Sequence, residues 1–149
     1  MFERILYPTD FSEVSKEVLD YIKGLNKACV QEVVVLHVLD VKYLDSLFLD
    51  TRKVLETETA LLKKARKDLL EIVDELEQCG FKTKGRVEIA VPFKEIIRIE
   101  EEEKISLIII GSHGKSNMEE IILGSVSEKV VRKAKGPVLL IKRSSPEDM

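Results

Sequence analysis

The chain has 149 residues, 44% of them apolar and 34% charged, with a formal net charge of −3. That balance supports a folded core and excludes intrinsic disorder as the main state. It offers no basic field for nucleic acid or anionic lipid, and the longest apolar runs, such as 33–36 and 107–110, fall far short of the about 18 residues a membrane span needs. The N-terminus has no signal-peptide pattern, so a cytosolic protein is expected. Cys29 and Cys79 have no histidine or third cysteine at ligand spacing, so two buried or half-buried thiols are expected rather than a zinc site or disulfide.

Arg4–Pro8 reads as a short strand that Pro8 stops. Ser12 suits the N-cap of a helix carrying Val14, Val18, Leu19, Ile22 and Leu25 on one side. Residues 33–39 are β-branched and apolar on both faces, the pattern of a strand covered from both sides. The segment 40–50 is expected to be irregular, although it carries many apolar groups for a loop. A long amphipathic helix over about 51–79 follows, with Leu62, Leu69, Val73 and Leu76 at helical spacing and Gly80 as its C′ residue.

The alternation then repeats. Residues 84–90 read as a third strand, and Pro92 opens a helix with Phe93, Ile96, Ile97 and Ile99 inward. Its acidic end, 100–103, is expected to be solvated. Residues 105–110 read as a fourth strand, a helical stretch over about 117–135 is interrupted at Gly124, and Val138–Ile141 reads as a fifth strand. Strands and helices alternating at this spacing predict right-handed βαβ units in a doubly wound parallel sheet, an α/β fold with helices on both faces. No internal repeat or linker interrupts the pattern, so 1–149 is expected to form a single domain.

Five such strands wind in the order 3-2-1-4-5 or 2-1-3-4-5, and ligands bind beyond their carboxyl ends where the order reverses. The two loops richest in chemistry follow strands one and four, at 8–12 and 111–117. Only the order 3-2-1-4-5 makes them neighbours at the reversal, and that order is the one expected. In the second loop Gly111 and Gly114 are separated by two residues, nine more lead to Gly124, and Ser125, Val126 and Ser127 follow. Glycines permit positive φ and close approach of backbone amides. The Ser125 and Ser127 hydroxyls, with the free N–H groups of a starting helix, can hold an anion, while Lys115 adds a charge and His113 a switchable one. The loop therefore reads as a phosphate site. It is not a Walker A loop, because Ile109 stands where the first glycine belongs, and Gly-x-Gly-x-x-Gly is absent after every strand.

With these residues the chain resembles the universal stress protein family in its ATP-binding branch. Gly111, Gly114, Gly124 and Ser125 meet that family's Gly-x2-Gly-x9-Gly-Ser/Thr signature; 5–12, 36–38 and 136–141 look like its first, second and last strands. The resemblance implies an adenine nucleotide alpha hydrolase-like fold and a regulatory stress-response protein holding ATP, AMP or ADP, with Mg2+ or Mn2+ carried on the phosphates. Carried over residue by residue, Pro8, Thr9 and Asp10 would meet the adenine and ribose side, and Val38 the adenine. Gly111, Ser112, His113, Gly114, Lys115, Ser116 and Asn117 would wrap ribose and phosphates, and Gly124, Ser125, Val126 and Ser127 would hold the phosphate chain. The family often has Gly-x-Pro before its third helix; here Ala90 replaces that glycine, which would set the loop farther from the ligand.

Asp10 is expected both to cap the first helix and to contact the ligand, whereas His37 reads as a hydrogen-bonded structural histidine. A slow Mg-dependent ATP hydrolase is the alternative function. The acids nearest the phosphate loop, Glu119, Glu120 and Glu128, are expected to face solvent, so binding without turnover is favoured. A flavin-type electron carrier, a third reading from the fold alone, lacks loop aromatics apart from Phe11. Finally, Val138–Ile141 is an edge strand apolar on both faces, which invites pairing with a second copy. A homodimer across it is expected, together with a protein partner that responds to nucleotide occupancy.

Overall fold

The computed structural model describes residues 2–46, 51–113 and 123–142. Along the chain they form β1 (Arg4–Pro8), α1 (Glu13–Lys23), β2 (Glu32–Asp40), α2 (Val41–Ser46), α3 (Thr51–Gln78), β3 (Thr83–Ala90), α4 (Pro92–Glu102), β4 (Leu107–Gly111), α5 (Ser125–Lys133) and β5 (Val138–Ile141). The five strands make one sheet in the order β3-β2-β1-β4-β5, and every neighbouring pair is parallel.

Alternation along the strands divides the core in two. Ile5, Tyr7, Val33, Val35, Leu107 and Ile109 face α1 and α3, where they pack on Val18, Ile22, Leu69, Val73 and Leu76. The intervening Leu6, Val34, Leu36, Ile108 and Ile110 face α4 and α5 and meet Ile96, Ile99 and Val130. This is why the central strands read as continuous apolar runs: each successive side chain enters a different core. The helix signals act as expected. The Ser12 hydroxyl accepts from the Ser15 N–H at 3.3 Å, Gly80 takes φ +95° after α3, and Pro92 stands first in α4.

Three expectations need correction. Residues 41–46 are helical, not irregular: α2 starts directly after β2, where the Asp40 carboxylate accepts from the Lys42 N–H at 2.9 Å. Of its apolar residues Leu44 is buried and Tyr43 is exposed; 47–50 lie outside the described residues. Cys29 is exposed and Cys79 half-buried, both as free thiols. The largest departure is the acidic end of α4, where Glu100 and Glu103 are buried. Glu100 accepts from the Lys135 and Gly136 N–H groups at 3.1 and 2.8 Å, tying α4 to the turn before β5. Glu103 receives Lys84 Nζ at 2.6 Å and one guanidinium nitrogen each of Arg86 and Arg4 at 3.0 Å. Counting charges along one helix does not reveal partners that arrive from β1 and β3.

Among the described residues no helix is long and apolar enough to cross a membrane. The Glu103 cluster makes stability depend on pH. The Lys84 hydrogen bond, with Arg86 and Arg4 beside it, holds the Glu103 carboxyl below its ordinary pKa. Protonation therefore favours the unfolded chain: the contribution is complete above the ordinary glutamate range and is lost as pH falls through the lowered value. In thermal denaturation at pH 7, Glu103→Gln is expected to cost about 1–3 kcal/mol. Between pH 5 and 3 it should lose less further stability than the parent chain does.

Candidate functional site

At the middle of the sheet β1 and β4 lie side by side, but the chain leaves them on opposite faces, into α1 and towards α5. Beyond their carboxyl ends a cleft of about 330 Å³ opens. Leu36, Val38, Ile96 and Ile110 supply its apolar lining; Thr9, Asp10, Ser15, Ser125 and Ser127 supply most of the polar lining.

The β1–α1 loop is held by side chains that the sheet itself positions. The Thr9 N–H donates to the Leu36 carbonyl at 2.8 Å, and His37 Nδ1 donates to the Thr9 carbonyl at 2.7 Å. His37 is buried, as expected for a structural histidine. Phe11 has φ +63°, a left-handed conformation that costs a non-glycine residue about 1–2 kcal/mol. Its ring lies on the His37 ring, centroids 4.5 Å apart, and its N–H donates to Thr9 Oγ1 at 3.0 Å. Asp10 lines the cleft, but it does not cap α1 as expected: Ser12 is the N-cap, and Asp10 Oδ1 accepts from the Ser12 N–H at 3.0 Å, which turns the loop just before the helix. Beneath the loop, burial pushes the Tyr7 phenol above its usual pKa, and its OH donates to the Ser15 carbonyl at 2.5 Å.

The opposite side is the start of α5. Gly124 is its N-cap and carries no side chain to cap the first N–H groups of the helix, so among the described residues those groups can serve a ligand. Gly124 has φ −66° and ψ 158°, extended backbone open to any residue, so a positive φ is not what glycine provides there. The Ser127 hydroxyl donates to the Gly111 carbonyl at 2.6 Å; its one proton is spent on joining α5 to β4. At Gly111 an added Cβ would lie 2.6 Å from Val14 Cγ1. Glycine at this position lets β4 end against α1, a packing requirement that a phosphate-loop reading alone does not contain.

Of the residues singled out from sequence, Pro8, Thr9, Asp10, Val38, Gly111 and His113 line the cleft, as do Gly124, Ser125, Val126 and Ser127. Ser112 is buried outside the lining: its N–H donates to the Ile141 carbonyl at 2.8 Å and its carbonyl accepts from the Gly124 N–H at 2.6 Å. Its hydroxyl lies 2.7 Å from His113 Nδ1. Gly114, Lys115, Ser116 and Asn117, with Glu119 and Glu120, lie outside the described residues. Glu128 is exposed and pairs with Arg132 at 2.5 Å. The loop containing Ala90 does not stand away from the site, because Pro92 and Ile96 line the cleft. Sequence reasoning missed Ser15 too, although one signal existed: it is a hydroxyl on the buried face of an amphipathic helix. Among the described residues no cluster of three potential metal ligands occurs.

A doubly wound α/β protein with a mixed polar and apolar cleft at the reversal of strand order is thus defined. The sequence profile of the universal stress protein family matches residues 1–142, and the chain belongs to that family. Universal stress protein MJ0577 of Methanocaldococcus jannaschii is 41% identical over 158 residues, covering 97% of this chain and 98% of its own length. A solved structure of MJ0577 matches with a TM-score of 0.90 at 39% identity, covering 97% of this chain and 99% of that one. MJ0531 of the same organism is 34% identical over 148 residues, covering 99% of this chain and 86% of its own length. An Arabidopsis thaliana member of the family, solved with AMP bound, shares the fold at a TM-score of 0.71 and 15% identity, covering 97% of this chain and 94% of that one.

The contact at Gly111 makes a direct prediction. Gly111→Ala should destabilise the fold by about 1–3 kcal/mol in denaturant unfolding. Adding Val14→Ala, which removes the methyl it strikes, should cost less than the sum of the two single changes.

Proposed function

We propose that this protein is a cytosolic regulatory stress protein that binds an adenine nucleotide, ATP, AMP or ADP, in the cleft, with 1–149 acting as one nucleotide-binding domain. The observation that carries the reading is the uncapped start of α5 opening onto a cleft that is otherwise largely apolar. In this reading the N–H groups of Ser125, Val126 and Ser127 receive phosphate oxygens, to which a helix N-terminus brings both donors and a positive dipole end. Ser127 contributes its N–H, since its hydroxyl is spent on Gly111. Gly111, His113, Gly114, Lys115, Ser116 and Asn117 complete the wrap around ribose and phosphates, with Lys115 as its cation, while the buried Ser112 ties the end of β4 to β5 and to the start of α5 behind them. Pro8, Thr9 and Asp10 meet the nucleoside, and Leu36, Val38 and Ile96 supply the apolar surface for the base. Mg2+ or Mn2+ enters on the phosphates and shields their charge.

Slow hydrolysis of ATP is the second reading. It ranks below binding because, among the described residues, the one carboxylate lining the cleft is Asp10, which already accepts from the Ser12 N–H. A protein whose occupancy is read by a partner needs only the bound and empty states.

The test is calorimetry of the full chain with MgATP and with AMP, the ligand of the Arabidopsis thaliana protein. Gly124→Val should lower affinity by at least about tenfold, on the order of 1.4 kcal/mol, while circular dichroism stays unchanged. Unaltered affinity would overturn the assignment. The same reading includes a homodimer through Val138–Ile141. The β5 edge is unpaired among the described residues, and Leu139 and Val131 are exposed by 42% and 46%, a combination that favours edge-to-edge pairing. Light scattering should give twice the 17.0 kDa of one chain, and Leu139→Lys should return it to one.

A further inference from the structure

Helices α4 and α5 both begin at the pole of the sheet where the cleft opens: Pro92 and Ser125 are their first residues, and both line it. Their N-caps, Val91 and Gly124, carry no side chain able to cap, so two positive dipole ends meet at one rim. Bridging the two helices there, Lys129 Nζ of α5 lies 4.9 Å from the centroid of the Phe93 ring of α4. Lys129 stands one helical turn on from Ser125 and three residues on from Val126; Phe93 stands between Pro92 and Ile96. All four of those neighbours line the cleft. Side chains on a helix lean towards its N-terminus, so the lysine stem runs back towards the opening.

A ring face attracts an ammonium without engaging its N–H groups as a carboxylate would, which leaves three donors for another partner. Among the described residues no carboxylate pairs with Lys129, and the adjacent Glu128 is bonded to Arg132 instead. The cleft lining holds no lysine or arginine among the described residues. An exposed cation beside two positive helix ends lacks an anion, and the ring limits the rotamer freedom it would lose on meeting one. We infer that Lys129, held over Phe93, is a specificity-determining residue that selects nucleotides by the charge of their phosphate chain. The inference rests on the nucleotide reading of the cleft and adds to it an order of preference, ATP before ADP before AMP. Adenosine, which carries no phosphate, is indifferent to Lys129. Magnesium on the phosphates offsets part of their charge, so the preference is sharpest without metal.

The experiment is calorimetry of the full chain with adenosine, AMP, ADP and ATP in metal-free buffer. Lys129→Met keeps an unbranched stem on the ring and removes the charge. It should weaken ATP about tenfold and AMP about twofold, leave adenosine unchanged, and flatten the salt dependence of ATP binding. Lys129→Arg, which keeps the charge and stacks on the ring, should hold every affinity within about twofold of the parent. Phe93→Leu, which fills the space without a ring face, should weaken ATP about threefold and spare adenosine. Two results would overturn the inference: ATP affinity unaltered in Lys129→Met, or adenosine, AMP and ATP weakened by one common factor. If the parent chain binds neither AMP nor MgATP, the nucleotide reading itself fails and this inference with it. Nucleotide binding whose dependence on phosphate number is the same in parent and Lys129→Met removes the inference alone.

Discussion

The handedness of the crossover connections governs the rest of this molecule. A strand, a helix and the next parallel strand wind right-handed, so a change in the direction of travel across the sheet forces the covering helix to the other face. The chain moves from β1 outward to β3 beneath α1 and α3, then returns to β4 and β5 beneath α4 and α5. At the seam between β1 and β4 the two departures diverge, and among the described residues a cleft lies at the strand ends there. The cleft follows from connectivity, before any particular side chain is considered.

Side chains then convert an opening into a site, and most of the polar ones are engaged with the protein itself. Thr9 is fastened through its N–H, its carbonyl and its hydroxyl oxygen; Asp10 caps its own loop; Ser127 reaches back to Gly111. These bonds hold the loops in one geometry, including the left-handed Phe11, whose strain is tolerated because its ring and its N–H are both occupied. The β1–α1 side of the site is therefore pre-organised and has little ordering entropy to lose when a ligand enters.

What could be read from sequence was whatever depends on local pattern. The alternating strands and helices and the cap at Ser12 follow from periodicity and spacing, while the strand order follows from placing the two loops richest in chemistry, 8–12 and 111–117, side by side. What could not be read depends on residues distant in the chain. Gly111 faces Val14 across an inter-element contact, which no signature at 111–125 encodes. Glu103 looks solvated until Lys84, Arg86 and Arg4 arrive from two strands. Leu36, Ile96 and Ile110 look like ordinary core residues because they are, and the cleft borrows the ends of that core as its lining.

The Glu103 cluster sits where β1 begins, at the pole of the sheet away from the strand ends that open onto the cleft. Charge pairs at that pole can be traded, added or removed without disturbing a single group that lines the opening. A lineage moving to a hotter or saltier habitat can therefore adjust how firmly the domain holds together at one end while the chemistry at the other end is inherited unchanged.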